Sequence, residues 1–194
     1  MQILVYNQVM DLLWLYILLG VLGLLIIVAV LYFNRFVKRR LRVENNFSQI
    51  KIQCKKRFDL VPNLVETVKG YATHEKSTLE NVIAARNTGL SANNPQELAT
   101  ANNQLTQTLG KLFALGEAYP DLKANTGFLS LQGELANIER TIAVARQVYN
   151  DSVMIYNKAI MMFPSNIFAA IFRFKKADFF EATEEETQAV KVSF

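Results

Sequence analysis

The 22 residues from Leu12 to Phe33 contain no charged side chain. As a helix they reach ~33 Å at ~1.5 Å per residue, against a hydrocarbon core of ~30 Å, so one membrane crossing is satisfied without strain. The whole chain has 194 residues, 51% of them hydrophobic, and a mean hydropathy of +0.13. That is more apolar than a soluble domain of this size, and the excess sits in this one run. An ordinary cytosolic globule is excluded. A cleavable signal peptide wants a basic leader, a shorter apolar core and small residues at a cleavage site. Here Asp11 is the only charge upstream, and the run ends Leu31-Tyr32-Phe33-Asn34. We read it as a permanent anchor.

Orientation follows from charge. Arg35, Lys38, Arg39, Arg40 and Arg42 follow the span immediately, and nothing basic precedes it. The positive-inside rule then places the N terminus outside and the C-terminal part in the cytoplasm. The same five residues are candidate contacts for anionic lipid headgroups, a role compatible with that of topology signal. From Val43 onward, 16 basic residues (21 less these five) face 16 acidic ones (17 less Asp11). A balanced surface without a basic stripe argues against a nucleic-acid partner.

Beyond the anchor the periodicity is helical, with no alternation long enough for a sheet. After Phe47, apolar positions recur at three- and four-residue steps through Ile50, Cys54, Phe58, Val61, Val65, Val68, Ala72, Leu79 and Val82 to Arg86, with the stem of Glu75 or Lys76 filling the one gap. This predicts one long helix that bends rather than breaks at Gly70 and stops at Asn87-Thr88-Gly89. Pro62 lies inside it, where its ring leaves the Phe58 carbonyl without an amide partner and favours a kink. Asn94-Pro95-Gln96-Glu97 reads as a helix start, with Asn94 as cap and Glu97 able to reach back. Pro120 ends that helix by pushing Tyr119 out of the α region, leaving 119–125 as a connector. Phe128, Leu131, Leu135, Ile138, Ile142, Ala145, Tyr149, Ser152, Tyr156, Ala159 and Phe163 then form an unbroken heptad seam, with Thr126 as a candidate cap and Pro164 as the end. The Tyr-Asn pairs at 149–150 and 156–157 put polar tips on that seam, where they set register. Six of the 13 Phe lie between Phe163 and Phe180, a cluster that reads more readily as a cap on a bundle than as a binding surface.

No catalytic, cofactor or metal constellation emerges. His74-Glu75 begins like a zinc protease signature, but Thr78 stands where the second His would be, and His74 is the only histidine. One His and one Cys leave half a zinc site unfilled. The glycines are scattered, so no phosphate loop forms. Cys54, on the apolar stripe, reads as a small buried hydrophobe and cannot form an intrachain disulfide.

The order of motifs nevertheless resembles a known family. Lys56-Arg57-Phe58-Asp59-Leu60-Val61-Pro62-Asn63-Leu64-Val65-Glu66-Thr67-Val68-Lys69-Gly70-Tyr71-Ala72, then His74-Glu75-Lys76, Thr78-Leu79-Glu80 and Ala85-Arg86, is similar to the LemA family of bacterial membrane proteins. So are Glu117-Ala118-Tyr119-Pro120-Asp121-Leu122-Lys123-Ala124-Asn125, Ala145-Arg146, both Tyr-Asn pairs, Phe163-Pro164-Ser165-Asn166 and Phe179-Phe180-Glu181. Phe47 and Cys54 depart from the Trp and Leu common there. The resemblance implies a single-pass anchor in the bacterial cytoplasmic membrane, an antiparallel helical bundle and no established enzymatic activity. It also implies an association with membrane proteostasis, because members are often encoded near HtpX-type membrane proteases or proteins with a TPM domain. No catalytic or ligand residue is implied.

The expectation is therefore an all-α chain: an N-terminal segment and anchor over 1–34, an elongated up-and-down bundle over 35–180, and an acidic, weakly structured tail over 181–194. Its expected role is a non-enzymatic scaffold or adaptor that self-associates through Phe168, Phe172 and Phe174 and engages a membrane protease of the HtpX type. The alternative is a membrane-surface organiser that binds lipid through the basic flank and the Phe-rich segment.

Overall fold

The computed structural model describes residues 2–72 and 74–180, with side chains described at residue 10 and from residue 12. The expected acidic tail and the Asp11 side chain lie outside these residues. Among them the fold is all-α and contains no strand. Its helices are α1 (Gln2–Lys69), α2 (Lys76–Ser91), α3 (Pro95–Ala118), α4 (Pro120–Lys123), α5 (Thr126–Met161) and α6 (Ser165–Ile171). Two compact units divide the chain: one takes residues up to Leu41 together with Ile155–Lys176, the other Arg42–Met154 together with residues from Ala177.

In the larger unit the expected stripe is the core. Ile50, Cys54, Phe58, Val61, Val65, Val68, Ala72, Leu79 and Val82 are all buried. Leu98, Leu105, Leu109 and Leu112 of α3, and Phe128, Leu135, Ile142 and Tyr149 of α5, are buried as well. Helix α5 runs antiparallel to α1. Asn46 of α1 donates to the Val148 carbonyl, and Arg57, eleven residues further along, meets Glu139, nine residues back.

One sequence expectation fails at Gly70. The helix breaks there: α1 ends at Lys69, the amides of Tyr71 and Ala72 both turn back to the Val68 carbonyl, and α2 starts afresh at Lys76. Tertiary contacts hold the break, because Ala72 is buried, Asn125 donates to the Tyr71 hydroxyl at 3.0 Å and the Tyr119 hydroxyl lies 3.4 Å from Glu75. No turn cluster in the local sequence was needed.

Gly89 also has a different role from the expected stop. Helix α2 continues through it to Ser91, and the Phe58 ring rests against the glycine so closely that a Cβ there would fall 2.3 Å from Cζ. The glycine is what lets α1 and α2 approach at this point.

The start of α3 is as expected: Asn94 Oδ1 accepts from the Glu97 amide, and Glu97 reaches back to the Asn93 amide, both at 2.8 Å. Tyr119 is extended, but 120–123 forms the short helix α4 rather than plain connector. Asn125, not Thr126, caps α5, taking the Phe128 amide at 2.9 Å. At the far end of the expected seam Phe163 is 79% exposed and outside α5.

In the smaller unit, α1 carries the apolar run. Its large side chains from Leu12 to Leu31 are broadly exposed, Trp14 at 65%, with little cover among the described residues. Among the described residues it is the one helix long and apolar enough to cross a membrane.

Candidate functional site

At the end of the apolar run, α6 packs beside α1 through aromatic rings. Phe168 stacks on Tyr32 with centroids 4.9 Å apart. Phe172 and Phe174 meet Phe33 edge-on at 5.1 and 5.7 Å, and Phe174 also meets Phe36 at 5.2 Å. Such offset and edge contacts are the favoured geometries of ring pairs. The three phenylalanines expected to join copies are thus gathered at one place, on their own chain's anchor. Phe36 is fully buried, whereas Phe172 stays 37% exposed.

Local hydrogen bonds shape this element. Ser165 Oγ lies 2.7 Å from the carbonyls of both Ala159 and Met162, which share its one proton, and this closes the corner between α5 and α6. The helix ends with the Phe174 amide on the Ala169 carbonyl and Arg173 at φ 57°, a left-handed position that usually falls to glycine. Tyr156 Oη then holds the Lys175 carbonyl at 2.8 Å.

Of the five residues read as lipid-headgroup contacts, Arg35, Lys38, Arg40 and Arg42 are exposed and Arg39 is half-buried, all on the stretch of α1 that follows the run. A groove of about 400 Å³ on the anchor is lined by Val28, Leu31, Tyr32 and Arg35, apolar toward the membrane end and cationic beyond it.

The larger unit holds a buried polar junction that joins three helices. Arg57 Nη1 donates to Asn102 Oδ1 at 2.7 Å and Thr106 Oγ1 at 3.1 Å, and pairs with Glu139 Oε2 at 2.6 Å. The Arg57 side chain is 4% exposed and that of Glu139 38%. Burial pulls the guanidinium below its usual range, and Glu139 opposes the shift. Sequence reasoning passed over this junction although spacing could have found it: Arg57 falls three residues after Cys54 and four before Val61, on the buried stripe. Cys54 beside it is buried, and desolvation pushes its thiol up to about 12, against the lowering influence of Arg57.

The first Tyr-Asn pair does more than set register. Tyr149 Oη donates to the Asp178 carbonyl at 2.7 Å. Asn150 grips the Phe180 peptide at both ends, donating to its carbonyl at 2.9 Å and accepting from its amide at 2.8 Å. Burial, with the Asp178 charge second, raises the Tyr149 phenol to about 12.

A second groove, of about 740 Å³, runs between α1 and α2. Val61, Pro62, Val65, Leu79 and Ile83 floor it, and Glu66, Lys69, Lys76 and Glu80 edge it. His74 is exposed, and among the described residues no three His, Cys, Asp or Glu side chains come together as a metal site would require.

Comparison with known proteins gives a family and several relatives. A sequence model described as the LemA family matches residues 46–194. Magnetosome protein MamQ 1 of Paramagnetospirillum magneticum is 25% identical over 191 residues, covering 84% of this chain and 70% of the relative. MamQ of Magnetospirillum gryphiswaldense is 24% identical over 174 residues, with 76% and 64% covered. Protein LemA of Metamycoplasma hominis is 25% identical over 183 residues, with 89% and 82% covered. With a family match over more than half of its length and an apolar helix set before an all-α bundle, the chain belongs to the LemA family.

Proposed function

We propose that this protein is a non-enzymatic scaffold or adaptor held in the bacterial cytoplasmic membrane, with its N terminus outside and the bundle in the cytoplasm. In this reading it self-assembles and works beside a membrane protease of the HtpX type in membrane proteostasis. The observation that carries the reading is the uncovered run Leu12–Leu31, which only lipid or other spanning helices can solvate. The basic flank supports the orientation, and confinement of all copies to one plane raises their effective concentration, so weak lateral contacts suffice for assembly. The groove between α1 and α2, with its apolar floor and charged rim, suits the side chains of an amphipathic partner helix. Two of the relatives are named as magnetosome proteins, after a structure of the cell, which also favours a structural role.

Mass measurement of the full chain in detergent or lipid nanodiscs, after affinity capture from cross-linked membranes, tests this reading. An oligomer that carries a membrane protease supports it. A monomer at micromolar concentration without such a partner overturns the assembly and the partner together. A reporter fused after Phe194 tests the orientation, and its appearance outside the cytoplasm overturns it.

A further inference from the structure

Within α6 it is Phe168 that stacks on α1, and Phe172 and Phe174 follow the helix. Ile167 and Ile171 of the same helix are 49% and 65% exposed, and Met162 and Phe163, at the corner that precedes it, 52% and 79%. Four large apolar side chains on one short corner are not left to water without cause. The height of this corner is set by its own ring contacts, because Tyr32 and Phe33, which Phe168 and Phe172 touch, are the last two residues of the apolar run. A helix in contact with the last turn of a span lies where hydrocarbon gives way to headgroups. Exposed cations stand on both neighbouring segments, Arg35 and Lys38 on α1, and Arg173, Lys175 and Lys176 after α6.

We propose that the corner from Met161 to Ile171 is a second membrane contact: α6 lies in the interface of the leaflet through which α1 leaves the bilayer, with Met162, Phe163, Ile167 and Ile171 among the acyl chains. The inference rests on the reading of Leu12–Phe33 as the anchor and adds to it a monotopic element. An interfacial helix buries its apolar face at the headgroup boundary while cations at its edges meet anionic lipid. The Arg173 turn serves this placement. It returns the chain toward α1 within one residue, so Phe174 reaches Phe33 and Phe36 while Lys175 and Lys176 remain exposed.

Trp14, the single tryptophan, lies in the anchor and supplies an internal standard. The full chain, and the variants Trp14→Phe/Phe163→Trp and Trp14→Phe/Ile171→Trp, are reconstituted in phosphatidylcholine–phosphatidylglycerol vesicles with and without acyl-chain-brominated phosphatidylcholine. Both positions are exposed, so the substitutions leave the fold intact, which circular dichroism checks. The proposal expects emission from each new tryptophan to fall about twofold in brominated lipid, as an interfacial side chain should. Full emission from both in brominated lipid while Trp14 is quenched overturns the proposal and leaves the anchor standing. Blue-shifted but unquenched emission means that protein, such as a second copy, covers the corner, and also overturns it. If Trp14 itself escapes quenching, the anchor reading fails first and the proposal with it.

Discussion

Arg86 Nε donates at 2.9 Å to the carbonyl of Phe58, the acceptor to which Pro62 can offer no amide. A side chain of α2 thus completes the backbone ladder of α1, which runs through Pro62 without interruption to Lys69. Arg86→Met keeps the aliphatic stem and removes the donor, so the protein should lose about 1–2 kcal/mol. In a Pro62→Ala background residue 62 regains its amide, and the same substitution should cost less than half as much. Chemical unfolding of the four proteins of this cycle in detergent measures the difference. Equal costs in both backgrounds would show that Arg86 does not act through the Phe58 carbonyl.

The Arg57 junction predicts an imbalance. Removing the counter-charge with Glu139→Leu leaves a buried guanidinium facing only neutral acceptors, which should cost about 3 kcal/mol. Adding Arg57→Met to that variant removes the stranded cation and should restore part of the loss. A double variant less stable than Glu139→Leu alone contradicts this account.

Cys54 should be chemically silent. Its thiol, raised from about 9 to about 12, holds a thiolate fraction about a thousandfold below that of the unfolded chain near neutral pH, and alkylation should slow accordingly. The sign for stability follows: because the folded value lies above the unfolded one, the contribution is intact below about pH 9 and is lost as pH rises through about 12. Tyr149, also raised to about 12, acts in the same direction. Cys54→Ala should therefore flatten the fall of stability between these limits. Unchanged pH dependence in that variant would assign the alkaline loss elsewhere.

Phe172 and Ile142 separate the proposed assembly from folding. Ile142 is 1% exposed, so Ile142→Asp buries an unpaired charge and should unfold the bundle. Phe172 is partly exposed, and Phe172→Ser should leave helicity intact while reducing the oligomer mass. Loss of helicity in Phe172→Ser with unchanged assembly of the folded remainder would make the ring purely a packing element.

Much of this fold was legible because it rests on periodicity. The stripe from Ile50 to Val82, the Asn94 cap and the stop at Tyr119 are consequences of spacing and of local backbone chemistry, and all three are found. What escaped depends on partners distant in sequence. Gly70 alone gives no sign of a break, which is held by Asn125 and Glu75 through the hydroxyls of Tyr71 and Tyr119. Gly89 looks like a terminator until the Phe58 ring, 31 positions away, is set against it. The aromatic cluster was visible as composition. Its docking on Tyr32, Phe33 and Phe36 was not, since no pattern within 163–180 names its partner.

Asn150 and Tyr149 hold the stretch from Asp178 to Phe180 by its peptide groups rather than by its side chains. Such a clasp has no alphabet. Asp178 can be exchanged freely at no cost to the bond, because every residue brings the same carbonyl. At Asp178 the constraint falls on the clasp alone: Asn150→Asp removes the donor, and a longer amide misplaces both atoms, whereas Phe180 is also held by the burial of its ring. Variation should therefore be tolerated at Asp178, while the two holding residues and the buried Phe180 stay as they are.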